Sequence, residues 1–144
     1  MSWCYGFTCL FRIIMNTLNI KTSKRNEFID ITNSIQNLLE NQNIQEGACI
    51  IYVPHATWAV TINEWFDPDV RKDITTWLSK QIPKDNNFNH MEGNSVAHIK
   101  SSLIWVDQKV IIQNGQLFLW KWQKIFFCEF DWPRTRSIYV KFIN

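Results

Sequence analysis

Glycine is scarce in this chain: four residues in 144, against eight tryptophans. Glycine is normally among the commonest residues, and it alone takes positive φ without strain. Few are left for the turns a chain of this length must make. Positive charge is also thin. The net charge is +2 and no Lys/Arg run occurs, which excludes a charge-driven nucleic-acid binder. No apolar stretch is long enough to span a bilayer as a helix. There is no glycine-rich phosphate loop, no nucleophile elbow and no HExxH. The four cysteines, Cys4, Cys9, Cys49 and Cys128, show no metal-knuckle spacing. Cys49 and Cys128 lie in apolar, strand-like runs, where a free thiol behaves as a small hydrophobe. Reduced, buried thiols imply a cytoplasmic protein.

What is present is an ordinary globular composition, 46% hydrophobic and 19% charged, enough for one domain with one core. The opening MSWCYGFTCLFRII is apolar, too short to span a bilayer, and without the basic segment of a secretory signal. Residues 1–14 are expected to be an extension outside the working domain, which starts at Met15.

Pattern predicts the elements. Thr17 to Thr22 reads as a strand and Phe28 to Ile31 as a short apolar stretch. Thr32 or Asn33 caps a helix to about Asn41, with Ile35, Leu38 and Leu39 at helical spacing. ACIIYVP is a buried strand. In HATWAVTINE a two-residue period puts Ala56, Trp58, Val60 and Ile62 on one face, and His55, Thr57, Thr61 and Asn63 on the other. Such a polar stripe is commonly just the solvated side of a sheet. Asp67 caps a helix with Pro68 at its first position, running to about Gln81. A polar loop, Lys84 to Met91, leads to a helix opened by Asn94 and running to about Ile104. Val96, Ile99 and Leu103 are its expected apolar stripe. Asn114-Gly115 marks a two-residue hairpin, and IFFCEFD and SIYVKFI are two late strands. About six strands and about three helices suggest an α+β fold, a mainly antiparallel sheet with helices packed on it.

Three polar clusters could carry chemistry. The first is His55, Thr57, Asn63 and Glu64. The second is His90, Glu92, Gly93, Asn94, His98, Lys100, Ser101 and Ser102. The third is Trp122, Gln123, Glu129, Asp131, Arg134 and Arg136. A helix N-terminus after Gly93 can hold an anion through free N–H groups, with Lys100, Ser101 and Arg134 adding donors. His90 and His98 with Glu92 could hold a divalent metal or move protons. Taken singly, a histidine is more often structural than a ligand.

Together the segments PHATWAVTINE, FDPDVRKD, HMEGNSVAHIKSSL and NGQLFLWKWQKIFFCEFDWPR resemble the YjbQ-like family, whose members are often described as secondary thiamine-phosphate synthases. The resemblance runs from about Thr17 to Asn144. His55, Thr57, Asn63 and Glu64 match its His-x-Thr strand ending in Asn-Glu. His90, Gly93, His98, Lys100, Ser101 and Ser102 match its central His–Gly–HxKSS pattern. Trp122, Gln123, Glu129 and Arg134 match its C-terminal positions. The resemblance implies a homotrimer with the polar clusters near a subunit junction. It also implies formation of thiamine phosphate from a pyrimidine diphosphate and a thiazole phosphate, itself regarded as a side reaction. His55, Glu64, His98 and Glu129 are then the expected catalytic residues. Thr57, Asn63, Gly93, Asn94, Lys100, Ser101, Ser102, Trp122, Gln123 and Arg134 are expected to bind substrate. Mg²⁺ or another divalent ion, held on His90 and His98, would help the diphosphate leave. The alternatives are a non-enzymatic trimeric module for a small anionic metabolite or metal, and a defunct paralogue. No nucleic acid or membrane partner is expected.

The chain departs from that pattern in one consistent way. Members generally carry glycine where this chain has Trp65, Trp105, Trp120 and Trp132, and a small residue at Trp58. Some bacteria read UGA as glycine where another common code reads tryptophan, so one translation error could account for all five. If the tryptophans are real, turns at these places must accept positive φ or crowding, at ~1–3 kcal/mol each. Val96 stands where an acidic residue is common, which removes a carboxylate from the second cluster.

Overall fold

In a computed structural model, residues 15–84 and 87–144 are described. The expected extension 1–14, and residues 85 and 86 of the expected polar loop, lie outside the described residues. The order is β1 (Met15–Lys21), β2 (Glu27–Asp30), α1 (Thr32–Glu40), β3 (Gly47–Tyr52), β4 (Trp58–Glu64), α2 (Pro68–Gln81), α3 (Ser95–Ile104), β5 (Asp107–Gln113), β6 (Gln116–Leu117), β7 (Gln123–Glu129) and β8 (Thr135–Ile143). The strands form two antiparallel sheets, β1-β8-β3-β5-β6 and β2-β7-β4. The α+β class is as expected, with the strands divided between two sheets.

The central strand β7 explains the layering. Its sequence QKIFFCE has no polar alternation from Ile125 onward because both faces are covered. Ile125 and Phe127 point into a core shared by both sheets and α1, with Ile35, Leu39, Ile51, Val60, Ile138 and Val140. Phe126 and Cys128, with Phe130 just beyond the strand, point the other way, onto Leu78 of α2 and Val96 and Ala97 of α3. The small sheet is thus a middle layer between the large sheet and two helices. β4 lies beside β7 and alternates likewise: Trp58 and Val60 enter the first core and Ala59 the second. Of its expected polar stripe, Thr57 is buried, Thr61 and Asn63 are half-buried, and His55 is exposed.

Local chemistry sets the ends. Asp67 caps α2 by accepting from the Asp69 amide at 2.9 Å, with Pro68 first in the helix. Asn114 (φ 51°) and Gly115 (φ 71°) both have positive φ, as a two-residue hairpin requires. Thr32 does not cap α1. The Asp30 carboxylate accepts from the Thr32 amide at 2.9 Å, and the Thr32 hydroxyl accepts from the Ile125 amide. The buried stripe of α3 also differs from expectation. Val96, Ala97, Lys100 and Ser101 face inward, while Leu103 is exposed. The cause is the Ser101 hydroxyl, which donates to the Trp58 carbonyl at 2.6 Å and turns that face of the helix onto β4.

Of the four tryptophans expected at glycine-like turns, only Trp105 has positive φ. It follows α3 with φ 87° and ψ 161°, a region occupied essentially by glycine. Trp65, Trp120 and Trp132 do not have positive φ, so the expected backbone strain falls on Trp105 alone. Among the described residues no helix is long and apolar enough to cross a membrane.

Candidate functional site

The imidazole of His55 sits in the bend before β4, immediately ahead of the strand that holds the cores together. Its Nδ1 accepts from the Thr57 amide at 3.2 Å and lies 3.0 Å from the Thr57 hydroxyl. An amide can only donate, so neutral His55 carries its proton on Nε2. The ring stacks on Trp58, centroids 4.4 Å apart and 8° from parallel. One side of His55 is thus open and the other is shielded from water. That partial burial, then the positive charges of Arg136 and Arg134, hold its pKa below the usual histidine value; Asp131 opposes the shift. His98, one turn before Ser101 on α3, also acts on it as a like charge. His55 is therefore suited to donate from a neutral Nε2–H rather than to carry a charge.

Beneath it lies a buried ion pair. Arg136 Nη2 donates to Glu129 Oε1 at 2.8 Å and Nε donates to Oε2 at 2.6 Å, with both residues almost fully buried. The Phe130 and Asp131 amides and the Thr22 hydroxyl also donate to Glu129. Every oxygen of this carboxylate is occupied, so Glu129 anchors Arg136 and the β7–β8 connection. It has no face left for substrate. The guanidinium of Arg136 lies 4.4 Å from the Trp58 ring centroid. Arg134 is half-exposed and reaches Asp131 Oδ2 at 3.4 Å. Asp131 Oδ1 is buried without a partner. Asp131 and Arg136 were visible in the third polar cluster but not singled out as site residues. The signal that could have found them is their position on either side of the Arg134 match.

The second cluster converges only in part. His90 and His98 meet edge to face, centroids 5.2 Å apart, beside an open cavity of about 340 Å³ that Phe88, Ser95 and Ile99 also line. Glu92 lies 3.7 Å from His90. Among the described residues no three His, Cys, Asp or Glu side chains are grouped to hold a metal ion. The His90–His98 pair therefore does not fit a metal centre by itself. Gly93 (φ 71°) leads into α3, but Asn94 makes no side-chain cap and its Oδ1 is buried unpartnered. Ser101 is committed to the Trp58 carbonyl and Ser102 to the His98 carbonyl. Lys100 is buried and donates to Asn26 at 3.0 Å and Ser79 at 3.4 Å. Burial, then the nearby Arg25, lowers its pKa.

Asn63, Glu64, Trp122 and Gln123 are elsewhere. Trp58 pairs with Glu129 at one end of β4, and Glu64 pairs with Gln123 at the other. Six residues of strand separate the two ends, roughly 20 Å. There Asn63 accepts from the Glu64 amide at 2.8 Å, and Gln123 accepts from the Trp120 amide at 2.9 Å. Trp122 joins an exposed aromatic group with Phe66 and Trp120.

A family model described as UPF0047 protein YjbQ-like matches residues 16–144. UPF0047 protein YugU of Bacillus subtilis is 48% identical over 132 residues, covering 91% of this chain and 100% of its own. UPF0047 protein MJ1081 of Methanocaldococcus jannaschii is 52% identical over 125 residues, covering 87% and 91%. An uncharacterized protein of the yjbq/upf0047 family from Clostridium acetobutylicum superposes with a TM-score of 0.87 at 45% identity, over 89% of this chain and 99% of that one. A YbjQ-like protein of unknown function from Sulfolobus solfataricus does so at 0.86 with 27% identity, over 91% and 96%.

Proposed function

This chain belongs to the YjbQ-like UPF0047 family, and from that premise we propose that it is an enzyme acting on a small phosphorylated metabolite at the polar group of His55, His98 and Arg134. Thiamine phosphate formation from a pyrimidine diphosphate and a thiazole phosphate is the reaction to test first. The observation that carries the reading is His55: a neutral imidazole with Nδ1 tied to Thr57, set among Arg134, Arg136, Asp131 and His98. In this reading His55 Nε2–H and Arg134 bind a phosphate oxygen, and His98 handles the proton. Asp131, with its unpartnered Oδ1, orients a donor on the substrate or on His98. Arg136, held by Glu129, supplies a fixed positive charge.

The two ends of β4 argue for a site shared between subunits. Within one chain Glu64 and Gln123 cannot reach His55, so the homotrimer would bring the far end of one subunit to the near end of another. The outer face of the large sheet offers a surface for such contact. Met15, Tyr52, Ile111 and Ile143 are exposed on it, 46–63% each.

The test is product formation by the purified protein and by His98→Ala, with circular dichroism confirming the fold. The proposal expects product from the parent and none from the variant. Full activity in the variant removes His98 from the mechanism. A non-enzymatic anion-binding module is the second reading, favoured by the internal commitment of Lys100, Ser101 and Glu129. It predicts ligand-dependent melting shifts without turnover.

A further inference from the structure

Trp105 is held in its glycine-only conformation from both sides. Its amide donates to the Ser101 carbonyl at 2.8 Å, closing α3, and its carbonyl accepts from the Val60 amide at 3.1 Å, docking the helix end on β4. The residue cannot relax without releasing the helix or the strand. Glycine just past a helix is the ordinary solution at such a place. The other four tryptophans carry no such backbone strain and join it by their place in the pattern of departures from the YjbQ-like sequence. The Trp58 indole is buried with Nε1 unpartnered. Trp65, Trp120 and Trp132 leave 42%, 58% and 58% of their surface in water, at the end of β4, before β7 and after β7. The chain as a whole is poor in glycine and rich in tryptophan.

We infer that residues 58, 65, 105, 120 and 132 are glycine in the protein its own cells make, each encoded by UGA read as glycine. One cause accounts for a shortage of one residue and an excess of another, and at position 105 for a bulky side chain in a conformation that favours glycine. The consequence for the site is largest at position 58. The indole there fills the space against the His55 imidazole, the Arg136 guanidinium and the edge of Phe127. With glycine, these groups face a slot as thick as one aromatic ring. A flat heterocycle carrying negative charge fits its walls, which deepens the reading proposed above and rests on it.

The test is peptide mass spectrometry of the protein purified from its source organism, with the gene's codons read alongside. The expected result is UGA and a glycine mass at all five positions, and UGG with a tryptophan mass at Trp122. Tryptophan at 105 overturns the inference. Tryptophan at any of the other four overturns the single cause. As an independent check, Trp105→Gly in the recombinant chain should raise the melting temperature by about 2–8 °C; no rise counts against it. If the native peptides carry glycine while the five-glycine protein forms no product, the glycine assignment stands and the catalytic reading falls.

Discussion

At the scale of single residues, a buried ion pair and a neutral imidazole dominate the site and behave differently. Glu129 and Arg136 form a buried, fully hydrogen-bonded pair. Removing one member strands the other charge away from water. Glu129→Ala should therefore lower the unfolding free energy by about 3–5 kcal/mol, read by denaturant melts. His55 is exposed on one side, and its shift is electrostatic as well as a loss of water. Its folded pKa is lowered, so protonation is disfavoured in the native state. The stability it contributes is present above its unfolded pKa of about 6.5 and is lost as pH falls through the lower folded value. Arg134→Gln should move the His55 pKa upward by removing one repelling charge, and an imidazole NMR titration reads this directly. An unchanged value would place Arg134 away from the ring. The buried thiols have no comparable role; burial pushes Cys49 up to about 12 and raises Cys128 as well.

At the scale of elements, the two glycines that begin β3 and lead into α3 separate conformation from packing. Gly47 (φ 140°) lies under the end of β8, where an added Cβ would be 2.0 Å from the Ile143 carbonyl oxygen. Gly93 (φ 71°) has nothing within 4 Å. Gly47→Ala should cost clearly more stability than Gly93→Ala, because only the first adds a clash to the strained φ. Equal losses would contradict the close approach. What the sequence revealed follows the same division. The α2 cap and the Asn114-Gly115 hairpin were legible because each is written in adjacent residues. The inward face of α3 was not. Lys100 and Ser101 are buried because of Asn26, Ser79 and the Trp58 carbonyl, partners between 21 and 74 positions away. No hydrophobic pattern carries that information. The site was legible as residue types in three clusters. Its division between the two ends of β4 depends on the β4–β7 register, which local periodicity does not encode.

At the scale of the whole molecule, the proposed sharing of the site between subunits requires association. Light scattering should give about three times the 17.2 kDa chain mass. Ile111→Glu on the exposed sheet face should reduce it toward one chain while leaving circular dichroism unchanged. A monomeric parent protein would leave Glu64 and Gln123 without a route to His55. Binding of a phosphorylated ligand beside His55 is the step on which the proposed function depends, and the chain has only three histidines with which to report on it. The most direct measurement is an imidazole NMR titration with pyrophosphate, assigning His55, His90 and His98 by single substitution. The account predicts saturable shifts at His55 and His98 that are lost in Arg134→Gln. Saturable binding that leaves both rings unmoved, or no binding at all, would contradict it.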